Sequence, residues 1–206
     1  MFALWIGVLV AGYLLGSIPG GFLIVRWLRG IDVRQVGSGR IGGTNVLRAA
    51  GWKVALVVMA LDAAKGALAV LLARWVGAPP LVEALAGALA ITGHNYSVFL
   101  GFRGGAGAMT AIGAALALWP WSALIMAAVG LTVALTTKYS SLGSTFVGLL
   151  ALIIFVVRGA LGLSPWAYAV YGLLALALIA WALRPNYRRL ARGEERRVNL
   201  KAGQKQ

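Results

Sequence analysis

The uncharged run GGAGAMTAIGAALALWPWSALIMAAVGLTVALTT, Gly104–Thr137, decides the fold. Its 34 residues exceed the ~20 that one helix needs to cross a ~30 Å hydrocarbon core. Trp119-Pro120-Trp121 lies near its middle. Proline suits a turn and tryptophan an interfacial belt, so the run is read as two short spans. Outward from it, Phe2–Val25, Ala84–Phe102, Tyr139–Val157 and Gly159–Leu183 carry no charge, and Val54–Ala73 is broken only by Asp62 and Lys65. Seven spans follow, each helical, because lipid offers backbone polar groups no other partner outside a closed barrel. The expected fold is all-α: a polytopic integral membrane protein with seven transmembrane helices in a single membrane domain, 1–206.

Composition agrees. Hydrophobic residues make up 61% of the 206 and charged residues 12%, against about 25% charged in soluble domains. That apolar content excludes disorder. The absence of cysteine excludes a disulfide scaffold, a thiolate zinc site and a thiol nucleophile. One histidine and five acidic residues are too few to suggest a metal site, and no cofactor is expected.

The net charge is nevertheless +14, so charge and hydrophobicity must separate along the chain. The first connection holds Arg26, Arg29, Arg34, Arg40, Arg48 and Lys53, the third Arg103, the fifth Lys138, and the segment from Arg184 to Lys205 eight more. Only Arg74 and Arg158 fall on the other side, with Lys65 inside a span. The positive-inside rule then puts the N-terminus outside and the C-terminus in the cytoplasm. Segment 184–206 reads as a basic cytoplasmic interfacial tail against anionic lipid headgroups. Such a tail beside a span is ordinary topology, so no nucleic-acid partner is expected. Met1–Trp5 lacks a basic n-region, so a cleaved signal peptide is not expected. Glu83 is expected to be an interfacial residue at the outer end of the third span.

The unusual residues gather on the cytoplasmic face. Gly16-Ser17-Ile18-Pro19-Gly20-Gly21 should loosen or break the first helix. In Gly37-Ser38-Gly39-Arg40-Ile41-Gly42-Gly43-Thr44-Asn45-Val46-Leu47-Arg48, glycines let successive N–H groups line one concavity that suits a phosphate. Ser38, Thr44 and Asn45 add polar contacts, and Arg48 can bind phosphate bidentately. The third connection, with His94-Asn95-Tyr96-Ser97 and Arg103-Gly104-Gly105-Ala106-Gly107, and the fifth, with Ser140-Ser141-Leu142-Gly143-Ser144, both open helices whose N–H groups favour anions. A flexible basic loop is the plain alternative for any one of these; three on one face favour a phosphate site. Asp62 and Lys65 share a helix face and can pair. His94 is either a general base or a hydrogen-bonding anchor.

Together these segments resemble the bacterial membrane glycerol-3-phosphate acyltransferases that use acyl phosphate as donor, the PlsY family. The matches are Gly16-Ser17-Ile18-Pro19, Gly37-Ser38-Gly39 with Thr44-Asn45-x-x-Arg48, Asp62-x-x-Lys65-Gly66, Gly93-His94, Val98-Phe99-Leu100-x-Phe102-x-Gly104-Gly105-x-Gly107, Ser141-Leu142-Gly143-Ser144, and Arg184-x-Asn186 with Arg189-Leu190, Gly193 and Glu195. The resemblance implies a multi-pass protein of the bacterial inner membrane with its site facing the cytoplasm. It implies transfer of a fatty acyl group from acyl phosphate to the 1-hydroxyl of sn-glycerol 3-phosphate, giving lysophosphatidic acid and phosphate. On that reading Ser38 and Arg48 hold the glycerol 3-phosphate, with Asn45 shaping the loop. Gly104, Gly105 and Gly107 admit the acyl phosphate. Thr44, Lys65 and Ser144 are further substrate contacts. Ser141 and Asn186 donate hydrogen bonds beside Ser38 in catalysis, His94 polarises or anchors, and Glu195 holds the tail.

The chain departs from the family pattern at Ala106 (lysine in the family), Leu183 (histidine), Arg40 (asparagine), Ser97 (proline) and Gly43 (alanine). A divergent paralogue with another donor or acceptor, or weakened activity, therefore stays open. A small-anion transporter should show mid-membrane polar groups and internal repeats, and the sequence shows neither convincingly.

Overall fold

The computed structural model describes residues 1–198; the tail's Lys201 and Lys205 lie outside them. The described chain is all-helical: α1 Phe2–Ser17, α2 Gly20–Arg29, α3 Gly43–Ala50, α4 Trp52–Trp75, α5 Pro80–Asn95, α6 Ala108–Leu118, α7 Pro120–Thr137, α8 Ser140–Ala160 and α9 Ala167–Ala191, with 3-10 turns at Val33–Gln35 and Val98–Leu100. Five stretches are long and apolar enough to cross a membrane, α1 and α2 counting as one. Leu61, Leu68, Leu124, Leu131, Ile153 and Leu173 are exposed on them. Apolar exposure on this scale is foreign to a soluble monomer.

The third and fourth expected spans differ from the sequence reading. Helix α5 has 16 residues and α6 only 11, about 24 and 16 Å long at ~1.5 Å per residue. The absence of charge overestimated both helices, because the residues between them, 96–107, are uncharged apart from Arg103 yet mostly loop. Both helices are largely buried. Glycine allows the close approach: a Cβ on Gly66 would strike the Thr110 carbonyl, and one on Gly113 the Ala63 carbonyl. Helices α4 and α6 thus meet backbone to backbone, as small residues permit.

The first helix breaks where expected. Helix α1 ends at Ser17, Ile18 turns out of the helix (ψ 116°), and α2 begins at Gly20. Pro19 has no N–H and disfavours helical geometry at the residue before it. At the break the Ile18 carbonyl accepts hydrogen bonds from Gly20 N–H at 3.0 Å and from Lys65 Nζ at 3.3 Å.

Glu83 is not a solvated interfacial residue. It is 6% exposed, paired with Arg74 at 2.7 Å, and accepts a hydrogen bond from the Tyr168 hydroxyl at 2.9 Å. A carboxylate this buried is stable only with such partners. Arg158, at the same end of the bundle, stacks over Trp119 at 4.0 Å.

The segment expected to leave the bundle at 184 begins as the last turns of α9, which continues through Pro185 to Ala191. Pro185 cannot donate to the Trp181 carbonyl four residues back; Arg184 Nε donates to it instead, at 3.1 Å. After the left-handed Gly193 the chain folds back, and Val198 N–H donates to the Lys138 carbonyl at 2.7 Å. The Val198 side chain packs on the cluster around Val25, Val33, Ile41 and Val46.

Candidate active site

The loop before α3 is organised by one side chain. Gly37 and Gly39 take left-handed conformations, and the bend closes over the Asn45 carboxamide. Asn45 Oδ1 accepts from Ser38 N–H at 2.9 Å. Its Nδ2 donates to the carbonyls of Val33 (2.9 Å), Val36 (3.0 Å) and Arg40 (2.7 Å). A Cβ on Gly37 would collide with Asn45 Oδ1. Asn45 therefore shapes the loop, and its polar atoms are spent doing so. One turn on, Arg48 is half-buried on α3. Burial, and then the nearby Arg196, depress its pKa from the ordinary arginine value. Glu195 offsets only part of that depression.

Behind the loop, α4 and α5 contribute a buried cluster. Lys65 Nζ lies 2.9 Å from Asp62 Oδ1 and 2.7 Å from His94 Nδ1, and His94 Nδ1 lies 3.3 Å from Asp62 Oδ1. All three residues are buried. The far edge of the imidazole seats on Gly105, where a Cβ would strike His94 Nε2, and Gly105 N–H donates to the His94 carbonyl at 2.9 Å. Gly104 is forced by the same carbonyl, and a Cβ on Gly107 would fall 2.7 Å from Asn95 Oδ1. These glycines, expected to admit a substrate, also seat the 94–107 segment against itself.

The opposite wall is the N-terminus of α8. Ser140 and Ser141 lie in its first turn, where N–H groups have no intrahelical acceptor and the helix dipole favours an anion. Ser141 Oγ is buried with no protein partner among the described residues. On α9, Asn186 Nδ2 donates to Glu195 Oε1 at 2.8 Å, and Arg189 Nε donates to Glu195 Oε2 at 3.0 Å. Asn186 Oδ1 has no partner among the described residues, so Asn186 offers the cavity an acceptor besides the expected donor. Glu195 does tie the C-terminal segment to α9, as expected from the sequence.

These walls enclose a cavity of about 400 Å³. Ser38, Thr44, Asn45, Arg48, His94, Gly107, Ser141, Ser144 and Asn186 line it, bringing nine of the expected site residues together. Its remainder is largely apolar, with Leu56, Met59, Met109, Ile112, Leu131 and Val147. Lys65, Gly104 and Gly105 are not among its lining residues. Lys65 faces the broken end of α1, and the two glycines line a second cavity of about 400 Å³.

Four departures from the family pattern, Ala106, Leu183, Arg40 and Gly43, border this first cavity. Arg40 borders both cavities, with its guanidinium donating to the Ala182 carbonyl. The sequence marked Asp62 only through its pairing with Lys65 and gave no signal for Arg196, which reaches the cavity through tertiary folding; Arg40, already notable as a departure from the family pattern, lines it too.

An all-helical bundle with an apolar exterior, and a cavity carrying an arginine, hydroxyls and a helix N-terminus, defines a membrane protein built to handle a phosphorylated, partly apolar ligand. The family model for glycerol-3-phosphate acyltransferase matches residues 6–193. A glycerol-3-phosphate acyltransferase of Thermus thermophilus is 48% identical over 200 residues, 97% of each chain. Glycerol-3-phosphate acyltransferase 2 of Moorella thermoacetica is 42% identical over 95% of this chain and 98% of its own. The crystal structure of PlsY (YgiH), an integral membrane glycerol 3-phosphate acyltransferase in its glycerol 3-phosphate form, superposes with a TM-score of 0.88 at 35% identity, covering 98% of this chain and 99% of that one. The chain belongs to the glycerol-3-phosphate acyltransferase family.

Proposed function

We propose that this protein transfers a fatty acyl group from acyl phosphate to the 1-hydroxyl of sn-glycerol 3-phosphate inside the first cavity, the one that Arg48 and Ser141 line. One observation carries the reading: a single cavity joins a half-buried arginine and a buried serine hydroxyl, unpartnered among the described residues, at a helix N-terminus to an apolar wall. Arg48 and Ser38 bind the phosphate of glycerol 3-phosphate. The apolar wall takes the acyl chain. Ser141, with the first N–H groups of α8, stabilises charge that develops on the acyl carbonyl or the departing phosphate, where preorganised donors act most strongly. Asn186 Oδ1 accepts from the substrate hydroxyl, Thr44 and Ser144 complete the polar rim, and the Asp62–Lys65–His94 cluster is a rigid backing that fixes the hairpin.

The acyl phosphate is already activated, so no enzyme nucleophile is required. The hydroxyl oxygen adds to the acyl carbonyl, the bond between the carbonyl carbon and the phosphate oxygen breaks, and phosphate departs with the hydroxyl proton. Holding the two reactants together supplies much of the acceleration.

Arg40 brings to this cavity the cation that Ala106 does not. In the membrane, we infer seven crossings, with α5 and α6 short because the longer helices shield them from lipid, and with the cavity facing the cytoplasm of a bacterial inner membrane. The arginines of the opposite end support that orientation, because Arg74 is neutralised by Glu83 and Arg158 is stacked on Trp119.

The test is purified protein with palmitoyl phosphate and labelled glycerol 3-phosphate. Lysophosphatidic acid and phosphate are expected in equal amounts, with palmitoyl-CoA giving none. Arg40→Asn should lose activity, and Ala106→Lys should restore it in that background. A second reading, a weakened relative, is favoured by the clustering of Ala106 and Leu183 at the cavity. It gains if the unmodified protein is inactive and Ala106→Lys alone is active.

A further inference from the structure

The second cavity has chemistry of its own. Arg40, Arg103, Arg184 and Arg188 line it, and no carboxylate does. Four of the chain's five carboxylates are committed elsewhere: Asp32 to Arg34, Asp62 to Lys65, Glu83 to Arg74 and Glu195 to Arg189. Among the described residues none of the four lining arginines has a carboxylate partner. Two are held in place by neutral groups: Arg40 donates to the Ala182 carbonyl, and Arg184 lies flat on Trp181, 3.1 Å from the ring centre. Arg103 and Arg188 stand exposed at the mouth. The same mouth carries Trp181 and Phe102, both large, exposed and lining the cavity.

Positive charge on a fixed floor beside exposed aromatic rings calls for a ligand with an anionic head and an apolar body. We propose that this cavity binds the phosphate headgroup of an anionic membrane phospholipid, whose acyl chains lie along Trp181 and Phe102. A free phosphate ion shares the headgroup chemistry but leaves the aromatic rim unused. Because Arg40 borders both cavities, the bound lipid sits directly beside the proposed acyl-transfer site.

The test needs no turnover, so its failure is separate from failure of the acyl-transfer reading. Delipidated full-length protein in detergent is titrated with phosphatidylglycerol or phosphatidylcholine, and bound lipid is read by native mass spectrometry. Preferential retention of phosphatidylglycerol is expected, undisturbed by inorganic phosphate. An arginine near an anionic lipid surface contributes about fivefold in binding, so Arg103→Gln with Arg188→Gln should weaken phosphatidylglycerol about twenty-five-fold. Arg103→Lys with Arg188→Lys should keep most of the binding, which separates charge from misfolding. Arg26→Gln with Arg29→Gln, exposed on α2, should change nothing. Equal retention of the two lipids, or an equal loss in the α2 pair, would overturn the site. Displacement of phosphatidylglycerol by inorganic phosphate would assign the cavity to a free ion and overturn the lipid proposal.

Discussion

Arg48→Ala is expected to raise the KM for glycerol 3-phosphate about a hundredfold, with a much smaller change in the KM for acyl phosphate. Removing one partner from a desolvated charge pair costs about 2–5 kcal/mol, and about 1.4 kcal/mol is a factor of ten. Half-burial puts Arg48 toward the lower end of that range. Its pKa is depressed by burial and by Arg196, with Glu195 offsetting part of the effect, so a bound phosphate completes a compensation that the protein supplies only in part. Arg48→Lys should recover only part of the loss, because an ammonium lacks the planar fork that grips two phosphate oxygens. Steady-state kinetics with each substrate varied in turn makes the measurement. An unchanged KM for glycerol 3-phosphate would remove Arg48 from the site.

The second large effect belongs to a residue that touches no substrate. Asn45→Ala deletes the acceptor for Ser38 N–H and the donor to three carbonyls. Each buried polar group left unpaired costs about 1–3 kcal/mol, and water reaching the loop returns part of that. A net destabilisation of about 3 kcal/mol is expected, visible as a lowered melting temperature in detergent. Ser38 and Arg48 sit on either side of Asn45 and lose their fixed spacing, so acyl transfer should fall at least about a hundredfold, as loss of positioning allows. Asn45→Asp keeps the bond from Ser38 and loses the other three, and should fall between. A melting temperature and activity equal to those of the unsubstituted protein would show that the loop does not depend on this carboxamide.

What the sequence revealed was local. The break at Pro19, the Asp62–Lys65 pair, the loop-shaping role of Asn45 and the tail-holding role of Glu195 all follow from neighbours within about a turn or a loop of the chain. What it concealed was which partner a residue meets across the bundle. Gly105 reads as a phosphate-loop glycine, yet its missing side chain makes room for His94. Lys65 reads as a substrate cation, and it turns to His94 and to the Ile18 carbonyl at the break between α1 and α2. Asn186 reads as a donor, but Glu195, brought back by the turn at Gly193, takes its amide. Glu83 looked interfacial because Tyr168 is 85 residues away in sequence. Charge patterning located five long helices and overestimated two, since loops rich in glycine are as uncharged as spans.

Glycerol 3-phosphate is proposed to sit in the first cavity, against α3 and the loop before it. A structure of the protein with glycerol 3-phosphate bound tests it most directly. The phosphate is expected within about 3.2 Å of the Arg48 guanidinium and the Ser38 hydroxyl, with the 1-hydroxyl turned toward Asn186 Oδ1. A phosphate seated instead between Arg103 and Arg188, with Arg48 unbound, would contradict it.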